Sequence, residues 1–142
     1  MNALIPADLA ATHTRLRAAW QTHVPDYAQR MDDLARLRAA FRKRLDIFVA
    51  AMAADFGRRP RHESLLTDGM TVLHEIDQVR RHLRRWMKPQ RKTVDWLFLP
   101  AGAEIRYQPL GVVGAIVPWN YPVNLALIPL VSAIGAGNHV ML

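Results

Sequence analysis

Apolar residues recur at three- and four-residue steps through most of the first 87 positions of the chain. This spacing is typical of amphipathic helices whose apolar stripe faces a core. It predicts helical stretches over residues 6–22, 27–56 and 61–87. Gly57 is expected to end the second stretch, because glycine readily adopts the left-handed conformation of a helix C-cap. Pro89 is expected to end the third, because proline cannot continue a helix.

Two features qualify this helical prediction. The second stretch spans about thirty residues, which is long for one helix, so we expect a bend near residues 42–46. Gly69 lies inside the third stretch, where a glycine weakens a helix by roughly 1 kcal/mol relative to alanine.

After Pro89 the pattern changes from helical to extended. Residues 94–99 are aromatic and β-branched, residues 103–108 alternate between apolar and polar, and a Pro-Ala-Gly turn lies between them. These features predict two extended segments.

A different pattern begins at residue 112. Residues 112–117 form a short continuous apolar run, which suits a parallel strand buried on both faces. Pro122 suits the first turn of a following helix, which we expect over residues 123–136. A second strand would begin at His139. Together these segments predict the strand–helix–strand opening of a parallel α/β sheet.

The charged residues are confined to the first 108 positions. The chain has 19 Lys and Arg against 12 Asp and Glu, which gives a net charge of +7. Residues 109–142 contain none of these four residue types, so this segment requires burial in a core, in a partner or in lipid. Prolines and asparagines interrupt it, and we therefore expect no stable membrane insertion.

A basic run near the end of the third helical stretch admits two interpretations. A basic helix can bind nucleic acid or an acidic membrane surface. More often such a run is a solvated helix face, here with Leu83 and Trp86 pointing inward, and we favour this interpretation and expect no nucleic-acid partner. The run comprises Arg80, Arg81, Arg84, Arg85, Lys88, Arg91 and Lys92.

The remaining composition narrows the chemistry. The chain has no cysteine, which excludes disulfides, a cysteine nucleophile and thiolate metal ligands within these residues. His74 and His82 are eight positions apart, too far for a metal-binding pair on one helix turn, so no metal site is expected. Residues 1–10 lack a basic segment followed by an apolar run, so we expect no secretory leader and a cytoplasmic location.

The last third of the chain carries the most specific signal. It contains QPLGVVGAIVPWNYP at residues 108–122 and LVSAIGAGN at residues 130–138. In order and spacing, these strings resemble the P-x-G-V, P-W-N-[FY]-P and A-x-A-A-G-N-like elements of the aldehyde dehydrogenase superfamily. The DFG at residues 55–57 agrees with the family pattern. Within the superfamily, the chain is most similar to the coniferyl aldehyde dehydrogenases.

The resemblance implies a division of the chain into three parts. Residues 1–90 would form a helical amino-terminal region, and residues 91–109 an extended hairpin and linker of the oligomerisation element. Residues 110–142 would begin a Rossmann-like NAD(P)-binding domain. The implied fold class is α/β, incomplete within these residues, and the full-length enzyme would be a homodimer or a homotetramer.

The resemblance also implies roles for six consecutive residues. The Asn of the P-W-N-[FY]-P element donates a hydrogen bond to the oxyanion in the family, and it maps onto Asn120. An amide at a strand-to-helix turn is a fixed neutral donor, and the N–H groups of the new helix add positive potential. Tyr121 would line the aldehyde tunnel. The residues that would form a wall of the NAD or NADP groove are Ile116, Val117, Pro118 and Trp119.

The other catalytic elements of the family lie beyond the position of Leu142. They are a Lys that contacts the cofactor ribose, a Gly-rich phosphate turn, a general-base Glu and a nucleophilic Cys. We therefore expect the chain to be a fragment, inactive alone, of an enzyme that oxidises a small-molecule aldehyde such as coniferyl aldehyde. Two alternatives stay open, namely a non-catalytic truncated product and a basic helical interaction module.

Overall fold

The computed structural model describes residues 6–142. Residues 1–5, which belong to the segment in which no secretory leader was expected, lie outside the described residues. The helical stretches are present at the predicted positions, and the second runs unbroken through residues 42–46. The helices are α1 (Pro6–Thr22), α2 (Tyr27–Phe56), α3 (Arg61–Ser64), α4 (Thr71–Trp86) and α5 (Pro122–Gly135). A π-helical turn, Leu65–Met70, joins α3 to α4.

The π-helical turn contains the glycine that the sequence marked as a weak point. Gly69 is buried, and a Cβ atom added to it would lie only 2.9 Å from Leu45 Cδ1 on α2. The missing side chain therefore lets the turn approach α2 closely. Single π-turns inside helices often occur at functional sites. This one carries Asp68, whose side chain is fully buried.

The predicted hairpin is present, but one of its strands lies elsewhere. Strand β1 (Gln90–Lys92) pairs antiparallel with β2 (Ala103–Ile105). The prediction of an extended segment over residues 94–99 was wrong, since Trp96–Phe98 forms a 3-10 turn. Asp95 is the cause, because its side chain accepts a hydrogen bond from the Leu97 N–H and caps this turn.

The strand–helix–strand unit is confirmed, with a shorter first strand. Strand β3 (Val112–Gly114) pairs parallel with β4 (His139–Met141), and α5 connects them. The expectation of a strand buried on both faces over residues 112–117 was wrong. Its residues are half-buried or exposed, and the chain leaves the strand after Gly114. Within residues 6–142, β4 is the only strand beside β3, and the pairing ends soon after Gly114.

The main core lies where α2, α4 and α5 meet. Leu83 points into it as predicted, whereas Trp86 is 46% exposed and stacks on the His82 ring instead. The buried side chains of this core are Leu34, Phe41, Val72, Ile76, Val79, Leu83 and Val131.

Helix α1 packs against the β3–β4 pair rather than against the main core. The indole Nε1 of Trp20 donates to the Gly137 carbonyl at 2.8 Å. The same ring lies against Gly111, where an added Cβ would be 3.5 Å from it. The first helix and the carboxyl-terminal strand–helix–strand unit are therefore in direct contact.

Candidate active site

All six predicted site residues lie in one loop, residues 115–121, between β3 and α5. The loop leaves the carboxyl end of a parallel strand and enters the amino end of a helix. Ligands of open α/β sheets bind at this edge, and helix amino termini carry positive potential. The loop contains Ile116, Val117, Pro118, Trp119, Asn120 and Tyr121, and all six are exposed.

The exposure of the loop is unusual for such apolar residues. Ile116 is fully exposed and Trp119 is 79% exposed. Two cavities, of about 450 and 440 Å³, lie elsewhere, and neither is lined by a residue of this loop. The loop is thus an open apolar surface next to a helix amino terminus. A flat ring system could pack against such a surface, so these residues fit one wall of a dinucleotide site.

Helix α5 receives its amino-terminal cap from another part of the chain. Its N-cap residue, Tyr121, makes no side-chain capping bond, and Pro122 occupies the first turn. The Asn124 N–H, one of the donors that a helix leaves without an internal partner, donates to Asp68 Oδ1 at 2.9 Å. A buried carboxylate of the π-helical turn therefore caps α5, with the sign of charge that the helix dipole favours.

Arg59 links this carboxylate to the site loop. Its Nη2 donates to Asp68 Oδ2 at 2.7 Å, and its Nη1 donates to the backbone carbonyl of Asn120 at 2.9 Å. The Arg59 side chain is 5% exposed and that of Asp68 is not exposed at all. The ion pair is therefore buried, where breaking it costs far more than at the surface.

The guanidinium of Arg59 also contacts two aromatic rings. Its carbon is 4.7 Å from the centroid of the Tyr121 ring and 5.1 Å from that of Phe56. Cations are attracted to ring faces at such distances. Arg59 thus contacts Asn120 through its backbone and Tyr121 through its ring. The side-chain amide of Asn120 takes no part in the contact with Arg59.

The carboxyl end of α5 is held by Arg30 of α2. Its Nη1 donates to the Gly135 carbonyl at 3.2 Å, and its Nε donates to the Pro25 carbonyl at 2.9 Å. Burial lowers the pKa of Arg30, while the charge of Asp26 acts in the opposite direction. An arginine stays charged at neutral pH despite such a shift. It supplies the positive charge that a helix carboxyl terminus favours.

Asn138 fixes the other end of the strand–helix–strand unit. Its Oδ1 accepts from the N–H groups of Leu110 and Gly111 at 2.7 and 2.9 Å. Its own N–H donates to the Ala133 carbonyl at 2.9 Å. One buried residue thus ties the entry of β3 to the end of α5 through its side chain and its backbone N–H. This bond keeps the site loop and its helix in register.

Sequence patterns alone missed Arg59, Asp68 and Arg30. Each contacts α5 or the loop before it from at least 56 positions earlier in the chain, and helix periodicity carries no signal for such contacts. One local signal did exist. Asp68 lies three positions after Leu65 and four before Val72, on the apolar side of the third helical stretch, where a charge needs a partner.

Two features are absent from residues 6–142, a cluster of metal ligands and a membrane-spanning helix. No three side chains of His, Asp or Glu in this part lie close enough together to hold a metal ion. None of its helices is both long and apolar enough to cross a membrane.

A parallel strand–helix–strand unit with an exposed loop after the first strand is the arrangement of nucleotide sites in α/β proteins. The family model described as "Aldehyde dehydrogenase family" matches residues 7–142. The chain belongs to the aldehyde dehydrogenase family.

Individual relatives agree with the family assignment. A probable coniferyl aldehyde dehydrogenase of Pseudomonas aeruginosa is 44% identical over 135 residues, which are 94% of this chain and 28% of the relative. The substrate-bound state of AldH from Staphylococcus aureus matches with a TM-score of 0.85 at 26% identity, over 99% of this chain and 30% of that one.

A more distant structure shows the same fold. Glyceraldehyde-3-phosphate dehydrogenase GapN of Methanocaldococcus jannaschii, complexed with NADP, matches with a TM-score of 0.79 at 17% identity. It is covered over 29% of its length, and this chain over 98%. The chain therefore spans less than a third of each of the relatives and structures described here.

Proposed function

We propose that this chain is the amino-terminal part of an NAD(P)-dependent aldehyde dehydrogenase that oxidises an aldehyde to the carboxylic acid. Coniferyl aldehyde is the substrate we favour, because the most similar relative described above bears that name. The observation that carries the proposal is the exposed loop of residues 115–121, which presents Asn120 at the amino end of α5. The assignment of residues 110–142 to the cofactor-binding domain is part of the same proposal.

Asn120 supplies the electrostatic step. Attack of a nucleophile on an aldehyde moves negative charge onto the former carbonyl oxygen. A positioned amide N–H stabilises that charge, and the loss of one such donor typically lowers the rate by ~10²–10³-fold. The adjacent helix terminus adds positive potential at the same place. Asn120 is suited to this role because Arg59 holds its backbone while its side chain is exposed.

The four residues before Asn120 supply the cofactor wall. NAD or NADP, when bound, would supply the hydride acceptor, and these four residues would hold its nicotinamide ring. Ile116 and Trp119 offer exposed apolar surface against which a nicotinamide ring can pack, and Val117 and Pro118 continue that surface. Tyr121, 36% exposed, follows Asn120 and would line the path of the aldehyde.

The nucleophile and the general base would come from sequence outside these residues. The 142 residues contain no cysteine, so we expect no aldehyde oxidation by this chain alone. For the longer enzyme we propose a homodimer or homotetramer in the cytoplasm, with NAD or NADP as cofactor. We propose that the basic run, which begins in α4 and continues past its end, is a solvated surface that binds no nucleic acid.

A hybrid enzyme tests the proposal. This chain replaces the matching 135 residues of the Pseudomonas aeruginosa relative, and NAD(P)H formation from coniferyl aldehyde is measured. We expect the hybrid to be active and Asn120→Ala to lower kcat by ~10²–10³-fold. Gln21→Ala, which removes an exposed amide of α1, serves as the matched control and should leave kcat unchanged.

Two results would contradict the proposal. One is a hybrid that assembles like the parent relative but oxidises no aldehyde. The other is an Asn120→Ala hybrid that retains full kcat, since a group other than the Asn120 amide would then stabilise the oxyanion.

A further inference from the structure

We propose that Arg59 is a positioning residue, which sets the backbone of Asn120 and the ring of Tyr121 in place for the reaction. The inference rests on the proposed function of the same loop. Arg59 would not touch substrate or cofactor. Its contribution would be made through two residues that it contacts, Asn120 by a hydrogen bond at 2.9 Å and Tyr121 by a cation–π contact at 4.7 Å.

The site loop has little else to hold it. Its residues are exposed, and strand pairing with β4 reaches only to Ala115, whose N–H donates to the Met141 carbonyl. Between that bond and the first turn of α5, the loop is held from outside by Arg59. A shift of about 1 Å at a reacting group can cost ~10²-fold in rate. The loop therefore depends on this contact for its geometry.

Asp68 fixes the orientation of the Arg59 guanidinium relative to α5. Its Oδ2 accepts from Arg59, and its Oδ1 accepts from the Asn124 N–H of α5. Arg59 in turn donates to the carbonyl of Asn120, four residues before Asn124. These three hydrogen bonds and the backbone from Asn120 to Asn124 close a ring. One buried carboxylate thus locks the arginine and the helix amino terminus to each other, and the loop is held between them.

This arrangement requires an arginine rather than any cation. Arg59 uses one nitrogen for Asp68 and another for Asn120, and its guanidinium carbon lies over both the Phe56 and the Tyr121 rings. A lysine keeps the charge and the ion pair but has a single nitrogen and no flat face. Arg59→Lys should therefore preserve most of the fold while releasing the loop.

The kinetic test compares Arg59→Lys with Arg61→Lys in the hybrid enzyme. Arg61 is the matched control, because it lies two positions after Arg59 and makes an exposed ion pair with Asp46. We expect Arg59→Lys to lower kcat on the order of 10²-fold while KM for the dinucleotide stays within about twofold. Arg61→Lys should change neither. A destabilised fold would also lower the apparent kcat at unchanged KM, so kcat is expressed per folded enzyme, with the folded fraction of each variant measured by circular dichroism.

A spectroscopic test uses the 142-residue chain itself. NMR order parameters are measured for the backbone N–H groups of Asn120 and Tyr121. In Arg59→Lys they should fall toward about 0.6, while those of α5 residues such as Val131 stay near 0.85. Phe56→Leu, which removes one of the two cation–π contacts and keeps the charge of Arg59, should give a smaller change of the same kind.

The outcomes separate the two proposals. An active hybrid in which Arg59→Lys matches Arg61→Lys overturns the positioning role and leaves the proposed function intact. A hybrid that is inactive with the native sequence contradicts the proposed function, and the order parameters then decide on Arg59 alone. Unchanged order parameters in both Arg59→Lys and Phe56→Leu would overturn the inference.

Discussion

Helices α4 and α5 lie side by side in the same core but are built in opposite ways. The 16-residue α4 has one apolar face and one charged face, and its last turn carries Arg84 and Arg85. The 14-residue α5 has no charged residue at all. It takes a carboxylate at its amino end from Asp68 and a guanidinium at its carboxyl end from Arg30.

The difference shows how an uncharged helix can be accommodated. The dipole of a helix favours negative charge at its amino end and positive charge at its carboxyl end. Helix α4 has the basic residues of its last turn within its own sequence. Helix α5 depends on groups from α2 and from the π-helical turn, which are buried because α5 itself is packed into the core. The charges that serve α5 should therefore contribute more to stability than those between α2 and α4.

The largest expected effect is at the amino end of α5. Asp68→Asn keeps the shape and one acceptor but leaves the Arg59 guanidinium buried without its partner. Glu63, with Oε1 at 3.8 Å from Arg59 Nε and 41% exposed, is too distant to replace it. Removing one partner of a buried ion pair typically costs about 3–5 kcal/mol. We expect that loss in the free energy of unfolding, measured by urea denaturation of the 142-residue chain.

Asp46→Asn is the matched control for this experiment. Asp46 pairs with Arg61, and their side chains are 80% and 61% exposed. Exposed pairs contribute about 0–1 kcal/mol. If Asp68→Asn and Asp46→Asn lose the same free energy of unfolding, the charges that contact α5 contribute no more to stability than surface charges. The contrast drawn between α4 and α5 would then be wrong.

Much of the fold followed from local patterns. The bounds of α1, α2 and α5 agree closely with the predictions, because apolar periodicity, Gly57 and Pro122 act within a few residues of themselves. The first hairpin strand was misplaced, because the Asp95 cap that turns the chain at Trp96–Phe98 competes with extension. Residues 112–117 were expected to be one buried strand, and periodicity could not show where strand pairing would end.

The candidate site was likewise predicted only in part. The motif placed Asn120 and its neighbours in one loop, which the structure shows at the end of β3. Their catalytic roles stay a prediction. The support for that loop could not be predicted, because Arg59 and Asp68 lie 61 and 56 positions from the groups they hold. Contacts at such separations leave no periodic signal in a single sequence.

A smaller effect is expected at the carboxyl end of α5. Arg30→Met keeps the length of the side chain but removes the donors to the Gly135 and Pro25 carbonyls. Hydrogen bonds to charged groups contribute about 1.5–3 kcal/mol. We expect a loss of that size in the free energy of unfolding, and Arg44→Met, an exposed position on the same helix, should lose almost nothing. Equal losses for both would show that α5 does not need the cation.

The smallest effect is expected between α2 and α4, where Arg38 and Asp77 form a partly exposed ion pair at 2.8 Å. Its hydrogen bond to Arg38 holds the pKa of Asp77 below the ordinary value of 3.8, and the charge of Arg38 adds to this. The pair therefore stabilises the fold above pH 3.8, and its contribution is lost as the pH falls through the lowered pKa.

Asp77→Asn should lower Tm slightly at neutral pH, and its Tm should converge with that of the native chain well below pH 3.8. Because the pair is partly exposed, about 1 M salt should also narrow the difference. A Tm difference that persists in acid would mean that Asp77 acts through packing, and the contrast with the buried charges of α5 would then weaken.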